Sequence, residues 1–197
     1  MPLVELHEPD RIRSPVRSLL RRFADSPAII AREREDEFKA IVRDNGIRVT
    51  LDAERNKFLF CMDPVPDGEA KRVWVGLAIL ERIWAYAYSF QRFYDVRGEH
   101  PQGTLLTPAN TNSIAPAWAL MNLAYRAEVR KERMAWPSEL PNPEWMQDET
   151  VVLANNFFIS ICAFMLTHEV AHFILNHAPI DVVPPDQAIR EEYAADT

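Results

Sequence analysis

Glycine is scarce in this 197-residue chain: there are five, and none follows Gly103. Glycine-rich phosphate loops are therefore excluded from the C-terminal part. So is the metzincin pattern, which needs a glycine and a third histidine six places after the second. Cysteine is nearly absent. Cys61 and Cys162 show no C-x-x-C spacing and are too few for a disulfide framework. Positive charge is in deficit, with a formal net charge of −7, which argues against nucleic acid as a partner. Long uncharged runs are missing as well. Glu81 and Arg82 interrupt the apolar segment Val73–Phe93, and Val151–Leu166 falls short of the roughly 20 residues a bilayer requires. No membrane span is expected. Residues 1–15 carry charges and no apolar signal core, so a cytoplasmic chain is expected.

What is present suits one folded domain over residues 1–197, with 48% hydrophobic and 26% charged residues. Three of the five histidines fall within His168-Glu169-Val170-Ala171-His172-Phe173-Ile174-Leu175-Asn176-His177. The first five residues read H-E-x-x-H inside an apolar run. Residues four apart share a helix face, with Cβ atoms about 5–6 Å apart. His168 and His172 can then share an ion whose bonds to nitrogen are about 2.0–2.1 Å. Glu169 lies at the rim, in reach of an activated water, and is the candidate general base. A plain pair of exposed helix histidines is the alternative. His177 comes five places after His172 and is read as an accessory residue at the helix end.

A catalytic zinc site needs a third protein ligand and an open position. Pro184-Pro185 break the chain, and Asp186 is a natural N-cap for a second helix. On that helix Ile189, Glu192 and Asp196 share a face. Glu192 is the candidate third ligand, and Asp196 the acceptor that holds a histidine ring. A solvated acidic helix start is the alternative for Glu191 and Glu192. Tyr193 is a further candidate to stabilise an oxyanion.

H-E-x-x-H followed by Glu192-Tyr193-Ala194-Ala195-Asp196 resembles the gluzincin metallopeptidases, and its E-x-x-x-D part that of the HtpX-type proteases. With the apolar lead-in and a soluble helical chain, the pattern is similar to the Lit-type phage-exclusion peptidases. The resemblance implies a zinc-dependent endopeptidase acting on a protein or peptide substrate, in phage exclusion or host defence. It also implies a helical zincin-like fold with a small β-hairpin or sheet beside the cleft. Family members continue beyond such a helix, so a C-terminal truncation is expected. The alternatives in other classes are a zinc-stabilised interaction module without catalysis, and a regulatory peptidase like the repressor-cleaving ImmA group. Glu169 favours catalysis, since a structural site does not need it.

In chain order, the pattern predicts a mainly α (α+β) chain. Residues 1–45 form a helical N-terminal segment. Val16, Leu19, Leu20 and Phe23 turn inward, and a second helix runs from Ser26 or Pro27 to Asp44, closed by Asn45-Gly46. Alternation at Ile47, Val49 and Leu51 and at Phe58, Phe60 and Met62 predicts a β-hairpin over 46–63. Asp63–Gly68 reads as a linker, Val73–Phe93 as a buried helix, and Arg97–Asn112 as a lid loop holding His100. A helix follows from Pro116 to Met134. Residues 148–197 carry the zinc-binding helices, with Phe157, Ile161 and Phe164 on the face leading to the metal.

Overall fold

The computed structural model describes residues 4–6, 14–52, 60–63, 72–99, 108–177 and 183–196. The chain is mainly helical with one small sheet. Its strands are β1 (Val4–Leu6), β2 (Arg48–Asp52), β3 (Phe60–Asp63) and β4 (Arg72–Gly76). The helices are α1 (Leu20–Ala24), α2 (Ser26–Ile30), α3 (Glu35–Asp44), α4 (Leu77–Glu99), α5 (Pro108–Arg130), α6 (Glu149–Ile174) and α7 (Pro185–Ala195).

The predicted hairpin over 46–63 is corrected. The sheet order is β1-β2-β4-β3, so β4 lies between the two strands that sequence alternation had paired. β2 runs parallel to β4, with Val49 opposite Val73 and Leu51 opposite Val75. β3 runs antiparallel to β4. The antiparallel pair is therefore β3–β4, and Asp63–Gly68 opens its connection, of which residues 64–71 lie outside the described residues. The missed signal was Arg72-Val73-Trp74-Val75-Gly76. It alternates with period two, but it runs without a break into the apolar helix α4. Val49, Leu51, Val73 and Val75 are all buried, which fixes the register, since a one-residue slip would turn this set outward.

The N-terminal segment buries Val16, Leu19, Leu20 and Phe23 as expected, in a 3-10 turn followed by α1. The second predicted helix is broken into α2, a 3-10 turn at Arg32–Arg34, and α3. α5 begins at Pro108, and Pro116 stands inside it. Both prolines suit a first helical position, and the pattern alone favoured the wrong one. Arg92 of α4 donates to the Ser113 carbonyl at 3.0 Å, so a backbone group close to the proline finds a partner on the neighbouring helix. His100 and most of the expected lid loop lie outside the described residues.

Few glycines leave helix ends to other residues. α3 closes on Gly46 at φ +63, while α5 closes on Lys131 at φ 55 and α6 on Asn176 at φ 54. The same pair of backbone bonds follows each time. After α6, His177 N–H donates to the His172 carbonyl at 3.0 Å and Asn176 N–H to that of Phe173 at 3.3 Å. This is the left-handed closure that glycine usually provides.

α6 is the centre of the molecule. Asp148 caps it, its carboxylate accepting from Thr150 N at 2.9 Å and Val151 N at 3.4 Å. It packs against α4, α2, β3 and α7. Asn155 is fully buried in it, accepting from Trp84 Nε1 at 2.6 Å and donating to the Pro143 carbonyl at 3.1 Å. Among the described residues it is the one helix long and apolar enough to cross a membrane, with half of its most apolar window buried. Such a test is also passed by the core helix of a soluble protein. Of the residues expected on the face leading to the metal, Phe164 lies beside His168 with its ring 6.1 Å away, but Phe157 and Phe164 are exposed, and the buried stripe is Phe158, Ile159, Cys162 and Leu166.

Candidate metal and catalytic site

α6 carries the H-E-x-x-H residues on its last turns, and α7 lies against them. Ala188 and Ala195 are the buried residues of α7. Their small side chains bring the helix close enough for a carboxylate to reach the histidines. Pro184 stands at the N-cap position and Pro185 opens the helix, so Asp186 lies inside the first turn instead of capping it. Ile189, expected on the Glu192 face, is 56% exposed.

The side chains converge. His168 Nε2 lies 3.0 Å from His172 Nε2 and 3.1 Å from Glu192 Oε2. His172 Nε2 is 3.6 Å from Glu192 Oε1. Behind His168, Asp196 Oδ1 stands 2.8 Å from Nδ1. Behind His172, His177 Nδ1 stands 2.9 Å from Nδ1. Glu191 is engaged elsewhere, accepting from Gln187 Nε2 at 2.7 Å. Tyr193 stays 72% exposed on α7. Glu169 follows His168 about 100° round the helix and is half-buried.

The hydrogen inventory tests whether a metal fits. A carboxylate only accepts, so His168 donates Nδ1–H to Asp196, and with its one hydrogen there a neutral ring would turn the Nε2 lone pair inward. Burial pushes the His172 pKa below its usual value. Glu192 acts the other way, and His168 and His177 add to the lowering. A neutral His172 that gives its one hydrogen to His177 also presents a lone pair at Nε2. Two imidazole nitrogens and a carboxylate then face one point, and a cation suits that donor set. A tetrahedral ion with bonds of about 2.0–2.2 Å wants ligand atoms roughly 3.3–3.6 Å apart. The two nitrogens are 3.0 Å apart, and the Glu192 oxygens Oε2 and Oε1 lie 3.1 Å from His168 and 3.6 Å from His172, near that spacing. The residues fit zinc.

The family model described as Peptidase U49 matches residues 73–197, which contain α4 to α7 and the whole site. The chain belongs to this family. It is also 26% identical over 186 residues to the Cell death peptidase of Escherichia coli (strain K12). That match takes in 91% of this chain and 62% of the relative. No solved structure matches the chain.

Sequence reasoning missed how His177 reaches the site. The left-handed Asn176 turns the chain back at the end of α6, which sets the His177 ring 5.0 Å from that of His172. A histidine three residues after the last helical residue, with asparagine before it, was the available signal.

Proposed function

We propose that this member of the Peptidase U49 family is a zinc-dependent peptidase that hydrolyses a peptide bond in a protein substrate. The convergence of His168 Nε2, His172 Nε2 and the Glu192 carboxylate carries the reading. When bound, zinc supplies Lewis acidity, which acidifies a water and polarises a carbonyl. Asp196 accepts from His168 Nδ1–H, and His177 Nδ1 lies against His172 Nδ1, so each ring has a partner on its outer nitrogen. Glu169 receives the proton of the attacking water and passes it to the leaving amine. The Lit-type resemblance supports a role in phage exclusion or host defence.

Glu169→Gln is the test. It should leave zinc content and helicity unchanged while hydrolysis of a degenerate peptide library falls by about 10²–10⁴-fold. Near-normal turnover would remove Glu169 from the mechanism, whereas no turnover by the zinc-loaded parent chain would favour a zinc-stabilised binding module.

A further inference from the structure

A groove of about 520 Å³ opens beside the candidate metal site, with His168 and Asp196 on its edge. That volume lies in the range of about 300–1,000 Å³ usual for ligand sites. One wall is the exposed stripe of α6, where Phe164 is 58% and Ile174 44% exposed. The opposite wall is Phe38 and Ile41 of α3, which the family match over residues 73–197 does not reach. Arg34 and Glu37 stand at the rim and form an ion pair with each other, Arg34 Nη2 to Glu37 Oε1 at 2.7 Å. Their charges are therefore matched locally, and the floor between them is apolar.

We infer that this groove receives a large aliphatic or aromatic side chain of the substrate, on a residue next to the bond to be cut. Three observations carry it. The groove and the histidine pair are continuous, sharing His168, whose ring also lies 6.1 Å from that of Phe164. Phe164 and Ile174, on the groove side of α6 on either side of His168, are exposed, although burial of such side chains is favourable. The remaining carboxylate on the edge, Asp196, disfavours an acidic occupant. In this arrangement the N-terminal helices are the specificity wall of the cleft, and α6 and α7 are its chemical wall. The inference rests on the proposed metal site.

Hydroxamates test it, because the hydroxamate group chelates zinc while the attached side chain probes the groove. Affinities of acetohydroxamate and of peptide hydroxamates bearing leucine, phenylalanine or aspartate are measured by calorimetry on the zinc-loaded full chain. The leucine and phenylalanine probes should bind at least about 10-fold more tightly than the aspartate probe. Ile41→Ser and, separately, Phe164→Ser should shrink that ratio severalfold. Ile41 is half-buried, so its variant could fold poorly; the exposed Phe164 carries the test in that event. Equal affinities for the three peptide probes, or ratios unmoved by both variants, would overturn the groove assignment and leave the metal site standing. Failure of every probe, acetohydroxamate included, would overturn the metal site and the groove with it.

Discussion

The two helices that form the site are held in opposite ways. α6 has 26 residues and is capped by Asp148. Buried Asn155 pins it to Trp84, and α4, α2, β3 and α7 pack around it. α7 has 11 residues, no side-chain cap, and only Ala188 and Ala195 buried. It is tied to the histidines by the Glu192 and Asp196 carboxylates, whose side chains are 47% and 44% exposed. His168 and His172 therefore sit on a scaffold that exists without metal. Glu192 sits on one that a bound metal would help to hold, since metal binding and local folding are coupled. On the proposed reading, one half of the site is preorganised and the other would be completed on binding.

The largest expected effects concern the metal. His172→Ala should abolish zinc retention, because it removes a ligand from the rigid half. Glu192→Ala should weaken binding severely, while Glu191→Ala, which loses only its bond to Gln187, should leave it near normal. Zinc content after dialysis reads all three. Loss of zinc in Glu191→Ala with retention in Glu192→Ala would reverse the assignment.

The rigid half can be loosened without touching a ligand. Asn155→Ala leaves the Trp84 indole N–H and the Pro143 carbonyl without their buried partner, at a cost of about 1–3 kcal/mol each. Urea unfolding should show that loss. No change in the midpoint would mean that α6 is held by apolar packing alone.

Smaller effects should come from the helix ends. Lys131 holds a left-handed conformation that costs an ordinary residue about 1 kcal/mol relative to glycine. Lys131→Gly should therefore raise stability slightly, offset by the greater freedom of glycine in the unfolded chain. Asn176→Ala should lower it by a comparable amount, and it also tests the turn that brings His177 to His172. Thermal melts check both. An Asn176→Ala variant with unchanged stability and zinc affinity would make that turn incidental.

Much of this was legible in the residues. The H-E-x-x-H spacing is one helix face, and an E-x-x-x-D on a following helix could be paired with it by chemistry alone. The alternation Ile47, Val49, Leu51 marked β2, and Asp148 marked the start of α6. Sheet order was not legible, because nothing local says that Arg72–Gly76 will insert between β2 and β3. The exposure of Phe164 was hidden for a similar reason. Periodicity identifies an apolar stripe but not whether a neighbour covers it, and α6 is apolar on nearly every side. The groove wall at Phe38 and Ile41 depends on α3 folding across from α6, more than a hundred residues away in the chain.

Amide hydrogen exchange over residues 187–196 and over α6, with zinc and after chelation, tests the central claim most directly. Zinc held by His168, His172 and Glu192 predicts that chelation strips protection from α7 and leaves the Asn155 region of α6 unchanged. Equal protection of α7 in the two states would show that packing holds it, and that Glu192 does not close a metal site.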